Sequence, residues 1–133
     1  MAWHPKYETG NTHIDNQHKE IFRLAYQVID ASYTSQGDIK AAIDFLTNYT
    51  ATHFEHEEKL MDESAYPVAG IHKKQHSDFV AAVKELAKRV SCETNGAKNR
   101  TDIEDVAINW LVDHVLGSDK VMADHYRKWA LDR

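Results

Sequence analysis

The chain has 133 residues, of which 42% are hydrophobic, and its 16 basic and 21 acidic residues give a net charge of -5. This length suits a single domain, so we treat residues 1–133 as one unit with one core. The negative charge disfavours nucleic acid and anionic membranes as partners. With no long apolar run and no signal-peptide pattern, we expect a cytoplasmic protein. The lone cysteine, Cys92, can form no disulfide within the chain.

The first two predicted helices place polar side chains on otherwise apolar faces. The first covers about 12–33, and His18 interrupts its apolar stripe. The second begins at Asp38, a candidate N-cap, and continues for about six turns with His53 and Glu57 on its stripe. Residues four apart differ by only about 40° around a helix, so these two share one face. Three titratable side chains next to this pair are expected to face water or the edge of the packed helices: Glu55, His56 and Glu58.

The third predicted helix carries two inward histidines. It follows a break around Pro67 and extends to about Val90. His72 and His76 are four residues apart on its apolar stripe, and therefore point the same way.

The fourth predicted helix begins at Thr101 and carries His114 on its apolar stripe. Asp119 follows five residues later, and on an unbroken helix the two would lie about 140° apart. Gly117 is expected to interrupt the helix, by deforming or ending it, so that Asp119 can turn back toward the centre. A short terminal helix is predicted over 122–133.

Four helices of about twenty residues with short connections predict an all-α protein, an up-down-up-down antiparallel four-helix bundle with an N-terminal arm and a short C-terminal helix. Each of the four helices turns at least one imidazole inward. One inward histidine is usually an ordinary core residue, but five with a carboxylate would cost several kcal/mol per unsatisfied group. A metal centre is the simplest explanation.

Four motifs together resemble the hemerythrin family: IDNQHKEIF, HFEHEE, HKKQH and HVLGSD. The resemblance covers nearly the whole chain and implies a cofactor of two iron ions, a non-haem di-iron centre with an oxo or hydroxo bridge. Matching the motifs implies that one iron is held by His72, His76 and His114, the other by His18 and His53, and that Glu57 and Asp119 bridge the two. Such a ligand set leaves one coordination position open, on the iron with two histidines.

The function that the resemblance implies is reversible binding of dioxygen, in a carrier, storage or delivery protein rather than an enzyme. The open position should lie in a dry, apolar pocket, whose candidate lining residues are Ile21, Phe54, Trp110 and Leu111. We expect a monomer, and an oxygen-consuming enzyme is a candidate partner. Sensing of oxygen or nitric oxide, or handling of iron or peroxide, by the same centre remains an alternative.

Two enzyme classes fit the sequence less well. A ferritin-like di-iron oxidase needs two Glu-x-x-His pairs, and the sequence contains none. A zinc protease needs HExxH, but Leu60 stands where the second histidine belongs. The remaining histidines are predicted to lie at the surface: His4, His13, His56 and His125.

Overall fold

The computed structural model describes residues 4–31, 36–92 and 101–132, without the side chains of residues 36, 37 and 90–92. A short 3-10 turn, Pro5–Tyr7, precedes three α-helices: α1 (Thr12–Ala31), α2 (Gln36–Glu63) and α3 (Ala69–Cys92). A fourth helical segment, α4, covers residues 101–131. No strand occurs among the described residues, and each helix packs against its neighbours in the order α1, α2, α3, α4 and back to α1. The predicted all-α four-helix bundle is confirmed.

Of two predicted helix starts, the first differs from the structure and the second agrees with it. Helix α2 begins at Gln36, so Asp38 lies in its first turn and the predicted N-cap is wrong. Helix α3 begins at Ala69, two residues beyond Pro67, which lies in the preceding turn. The predicted end of the first helix, at residue 33, and the side chain of Cys92 lie outside the described residues.

Helix α4 deforms around Gly117 rather than ending there, which is one of the two expected forms of the interruption. Its backbone changes from α-helical at Trp110–His114 to π-helical at Val115–Asp119, and then continues as α-helix over Lys120–Leu131. The terminal helix therefore begins earlier than predicted and extends α4 directly. Another π-helical stretch, Glu104–Asn109, lies closer to the start of α4.

The N-terminal arm is tied to α1 by side-chain contacts. The backbone N–H and hydroxyl of Thr9 both donate to Asp15 Oδ1, at 2.9 and 2.8 Å. Asn11 Oδ1 accepts the N–H of Ile14 at 3.0 Å, which is an N-cap hydrogen bond. Buried Tyr7 packs against Phe22, with ring centroids 5.4 Å apart. The arm therefore closes over α1.

The bundle has two apolar clusters, one on each side of a polar layer. The larger contains buried residues from all four helices, among them Phe54, Phe79 and Leu111. The smaller lies toward the other end of the bundle and consists of Ile14, Leu60, Met61, Tyr66, Met122 and Ala123. Along α1, α2 and α4 the inward polar residues fall between members of the two clusters, and on α3 they fall between Ala69, which packs against the smaller cluster, and Phe79 of the larger. The site is thus enclosed by apolar layers above and below.

Among the described residues, no helix combines the length and apolar character needed to cross a membrane.

Candidate metal centre

All seven residues that the motifs implicate are buried at one level of the bundle. Helix α1 supplies His18, α2 supplies His53 and Glu57, α3 supplies His72 and His76, and α4 supplies His114 and Asp119. None is more than 6% exposed. The predicted inward direction of each therefore agrees with its burial.

The π-helical turn Val115–Asp119 explains how two residues five apart meet. In a π-helix the backbone hydrogen bonds join residues five apart, so such residues lie near the same face. His114 Nε2 and Asp119 Oδ1 are 2.9 Å apart as a result. Ser118 in the same turn donates from Oγ to Gln75 Oε1 of α3 at 2.7 Å, which fixes the turn against its neighbour.

Asp119 contacts three imidazoles with its two oxygens. Oδ1 lies 2.9 Å from Nε2 of His72 and 2.9 Å from Nε2 of His114. Oδ2 lies 2.9 Å from Nε2 of His18 on the other side. The carboxylate therefore spans two sets of histidines.

Glu57 spans the same two sets with longer distances. Its Oε1 is 3.2 Å from Nε2 of His76 and 3.4 Å from Nε2 of His53, while Oε2 is 3.7 Å from Nε2 of His18. Unlike Asp119, Glu57 does not assign one oxygen to each set of histidines, since Oε1 faces both sets.

The potential ligand atoms form two overlapping groups, in each of which all atoms lie within 4.8 Å of one another. The five-residue group consists of Glu57, His72, His76, His114 and Asp119. The four-residue group consists of His18, His53, Glu57 and Asp119. This is the division of ligands that the motif match implies, with the two carboxylates common to both groups.

The cluster fits a metal better than it fits a hydrogen-bonded core. Nε2 of His18, His53 and His76, and both oxygens of Glu57, are buried, and their contacts of 2.9 to 3.7 Å within the cluster lack the alignment of hydrogen bonds. Each such group costs about 1 to 3 kcal/mol if nothing binds it. Imidazole nitrogens and carboxylate oxygens are donors that suit iron and related transition metals. The residues present can therefore hold metal ions at both groups.

The charges in the cluster also call for a cation. Burial raises the pKa of Asp119, but contacts with His114, His18 and His72 outweigh it and hold the pKa well below its ordinary value. Burial and Asp119 raise the pKa of Glu57, yet His53 and His18 bring it below its ordinary value. Burial lowers the pKa of His18, but Asp119 and Glu57 raise it to about 10. Two buried anions remain, and either protons on imidazoles or metal ions balance them.

Two residues outside the predicted set contact the outer nitrogens of these histidines. Glu58 Oε2 lies 2.9 Å from Nδ1 of His76, and Gln17 Oε1 lies 2.6 Å from Nδ1 of His53. Glu58 is at the bundle edge, as expected, yet it reaches inward. The sequence hint for both contacts is adjacency to a predicted ligand: Glu58 directly follows Glu57, and Gln17 directly precedes His18.

Two of the four predicted pocket residues stack on histidines, and the other two lie in the larger apolar cluster. The ring of Phe54 stacks on His76 at 3.9 Å, and Trp110 stacks on His114 at 4.4 Å, both in the five-residue group. Ile21 and Leu111 are buried members of the larger apolar cluster. That these four line an open coordination position stays a prediction.

Four histidines lie outside the cluster. His4 and His13 are exposed, as predicted. His56 is half-buried, and its Nδ1 lies 3.1 Å from Gln17 Oε1. His125 is also half-buried, with Nε2 2.9 Å from the Ser64 carbonyl oxygen. The last two are therefore only partly at the surface.

Comparisons with known proteins agree with this site. The sequence model of a family described as Hemerythrin HHE cation binding domain matches residues 9–126. A bacteriohemerythrin of Pseudomonas aeruginosa is 30% identical over 96% of this chain and 82% of its own length. Myohemerythrin-1 of Phascolopsis gouldii is 30% identical over 89% of this chain and 87% of its own length. A crystal structure of wild-type hemerythrin superimposes with a TM-score of 0.80 and 28% identity, covering 95% of this chain and 97% of that one.

Proposed function

Since the chain belongs to the hemerythrin family, we propose that its buried cluster holds a non-haem di-iron centre that binds dioxygen reversibly. The observation that carries the proposal is the pair of overlapping ligand groups, which share Glu57 and Asp119. Two metal positions that share two carboxylates must be adjacent, because a carboxylate group is too short to reach metals that lie far apart.

The two positions differ in the number of protein donors. The five-residue group supplies three imidazoles and the four-residue group supplies two, each with the same two carboxylates. A position with fewer protein ligands has room for a small molecule, which is the usual mark of a binding site rather than a structural one. We therefore place dioxygen at the group that contains His18 and His53. Iron at this centre would supply electrons to dioxygen on binding and recover them on release.

The protein favours reversible binding over oxygen activation through the charge of its ligands. Five neutral imidazoles and two carboxylates contribute little negative charge, so high oxidation states of the metals are poorly stabilised. The apolar layers above and below the site exclude water. Phe54 and Trp110 add a flat apolar wall against the histidines of α3 and α4. The apolar layers thereby protect the gas bound beside His18 and His53 from protonation and displacement, while Phe54 and Trp110 shield the neighbouring five-residue group.

The proposed role is therefore a carrier, store or delivery protein without enzymatic turnover. The test begins with anaerobic loading of the full chain with ferrous iron, followed by exposure to air and then removal of oxygen. We expect a charge-transfer band in the visible spectrum that appears with oxygen and disappears without it through several cycles. Permanent oxidation on the first exposure, or sustained consumption of hydrogen peroxide, would contradict the proposal.

A matched pair of variants links this behaviour to the site. His72→Gln removes a donor from the five-residue group, whereas His125→Gln changes a half-buried histidine outside both groups. The first should lose the reversible band and the second should keep it.

A further inference from the structure

Two of the inward histidines have a hydrogen-bond partner on their outer nitrogen, and the two partners differ in charge. Nδ1 of His76 is 2.9 Å from a carboxylate oxygen of Glu58. Nδ1 of His53 is 2.6 Å from the amide oxygen of Gln17. One histidine of each ligand group is therefore held from outside, by an anion in one case and by a neutral group in the other.

Both partners fix which nitrogen carries the proton. A carboxylate oxygen and an amide oxygen only accept, so the Nδ1–H of each imidazole donates and Nε2 is the nitrogen left to bind a metal. The Nε2 atoms of His76 and His53 face Glu57 Oε1, at 3.2 and 3.4 Å. Each outer hydrogen bond thus prepares the inner nitrogen to bind a metal.

The strengths of the two outer bonds should differ. Glu58 offers a carboxylate oxygen, and an ionised acceptor makes a hydrogen bond roughly twice as strong as a neutral one. The oxygen of Gln17 is shared, since Nδ1 of His56 lies 3.1 Å from it. In contrast, Nδ1 of His18 and of His72 is buried without a partner among the described residues.

The inner end of the Glu58 contact is dry even though the carboxylate reaches water. The Glu58 side chain is 32% exposed, while His76 is only 2% exposed and lies under the ring of Phe54. Solvent screens the outer carboxylate oxygen more than it screens the bond to Nδ1. The Glu58 carboxylate therefore interacts more strongly with the buried imidazole of His76 than with other groups at the surface.

We propose that Glu58 is a positioning residue: acting through His76, it makes the five-residue group the tighter metal position and stabilises the higher charge of a metal bound there. Gln17 orients His53 of the four-residue group without adding charge. The proposal rests on the proposed metal centre and does not require dioxygen to bind. Outer partners of this kind typically change metal affinity by about 10- to 100-fold.

The test compares Glu58→Gln with Glu55→Gln in the full-length protein. Glu55 is exposed on the same helix, so its variant removes the same charge without a contact to a ligand. Zinc serves as a redox-inert probe, and its two binding steps are measured by competition with a chelator. We expect Glu58→Gln to weaken the tighter step by about 10- to 100-fold, and Glu55→Gln to leave both steps within about twofold of the original protein.

Two further measurements separate positioning from a general charge effect. Nitrogen-15 NMR of the zinc-loaded protein should show the Nδ1–H signal of His76 moved in Glu58→Gln and unmoved in Glu55→Gln. Gln17→Glu supplies an anionic acceptor to His53, and should tighten the weaker zinc step. In the iron-loaded protein, Glu58→Gln should raise the reduction potential and Gln17→Glu should lower it.

Equal effects of Glu58→Gln and Glu55→Gln on zinc affinity would overturn the proposal, as would an equal loss in both binding steps of Glu58→Gln. Urea unfolding of the two metal-free variants checks that neither has lost its fold. Because zinc binding involves no oxygen, a protein that binds two zinc ions but no dioxygen would refute the proposed function alone.

Discussion

Replacing Leu111 with alanine should both destabilise the protein and speed the oxidation of its iron by air. Leu111 is 2% exposed and lies three residues before His114, on the same side of α4. Removing a buried leucine side chain costs about 2 to 5 kcal/mol, a large part of the roughly 5 to 15 kcal/mol that holds a typical domain together.

The second effect follows from the space that the substitution opens. A void beside polar atoms can hold water when it exceeds roughly one probe sphere, about 10 to 15 Å³, and the missing side chain leaves more than this. Water close to the centre protonates or displaces bound dioxygen and leaves oxidised iron behind. If access of water limits autoxidation, a barrier lowered by only about 1.4 kcal/mol makes it tenfold faster.

Leu86→Ala is the matched control for this variant. Leu86 is 1% exposed, and lies ten residues beyond His76 on α3, about 15 Å further along the helix axis. Urea unfolding of the metal-free proteins should show similar losses of stability in both variants. The visible spectrum of the oxygenated proteins, followed over time, should decay faster only in Leu111→Ala. Equal decay in the two variants would show that Leu111 packs the core but does not guard the site.

Three other predictions concern the cluster and the π-helical turn. The folded state holds a proton on His18 up to a pKa of about 10, against 6.5 ordinarily, so the stability of the metal-free protein should fall as pH rises between these values; urea midpoints that stay constant across this range would refute it. Ser118→Ala removes the 2.7 Å bond to Gln75 and should cost about 0.5 to 1.5 kcal/mol in thermal unfolding. A side chain at Gly117 meets no atom within 4 Å, so Gly117→Ala should stabilise the protein by up to about 1 kcal/mol with its iron content unchanged. A loss of iron in that variant would show that the turn needs glycine.

The helices and their inward faces could be predicted because a residue's direction on an α-helix follows from spacing alone. His53 with Glu57, and His72 with His76, lie four apart and are buried as pairs. Each lies on a regular helix, so no information from elsewhere in the fold was needed.

The meeting of His114 with Asp119 could not be predicted from spacing. A constant turn of about 100° per residue would place them about 140° apart around the helix. Only the π-helical stretch Val115–Asp119 brings His114 Nε2 within 2.9 Å of Asp119 Oδ1. Nothing local in the sequence marks such a stretch, since Gly117 equally suggests an ended helix. Only the resemblance of the HVLGSD motif to the hemerythrin family predicts the pairing.

Spacing along one helix does not predict the contacts to the outer histidine nitrogens, because these contacts depend on neighbouring helices. From its position on α2, Glu58 is expected at the edge of the bundle, yet its long side chain reaches His76 of α3. Gln17 on α1 reaches His53 on α2 in the same way. Periodicity describes one helix at a time, so contacts made by the ends of long side chains lie beyond it.

The central claim is that two metal positions lie side by side and share Glu57 and Asp119. Diffraction from crystals of the iron-loaded protein, measured at the iron absorption edge, tests it most directly. Two anomalous peaks per chain are predicted, one beside His76 and the other beside His53, with both carboxylates between them. A single peak, or peaks away from these side chains, would contradict the account.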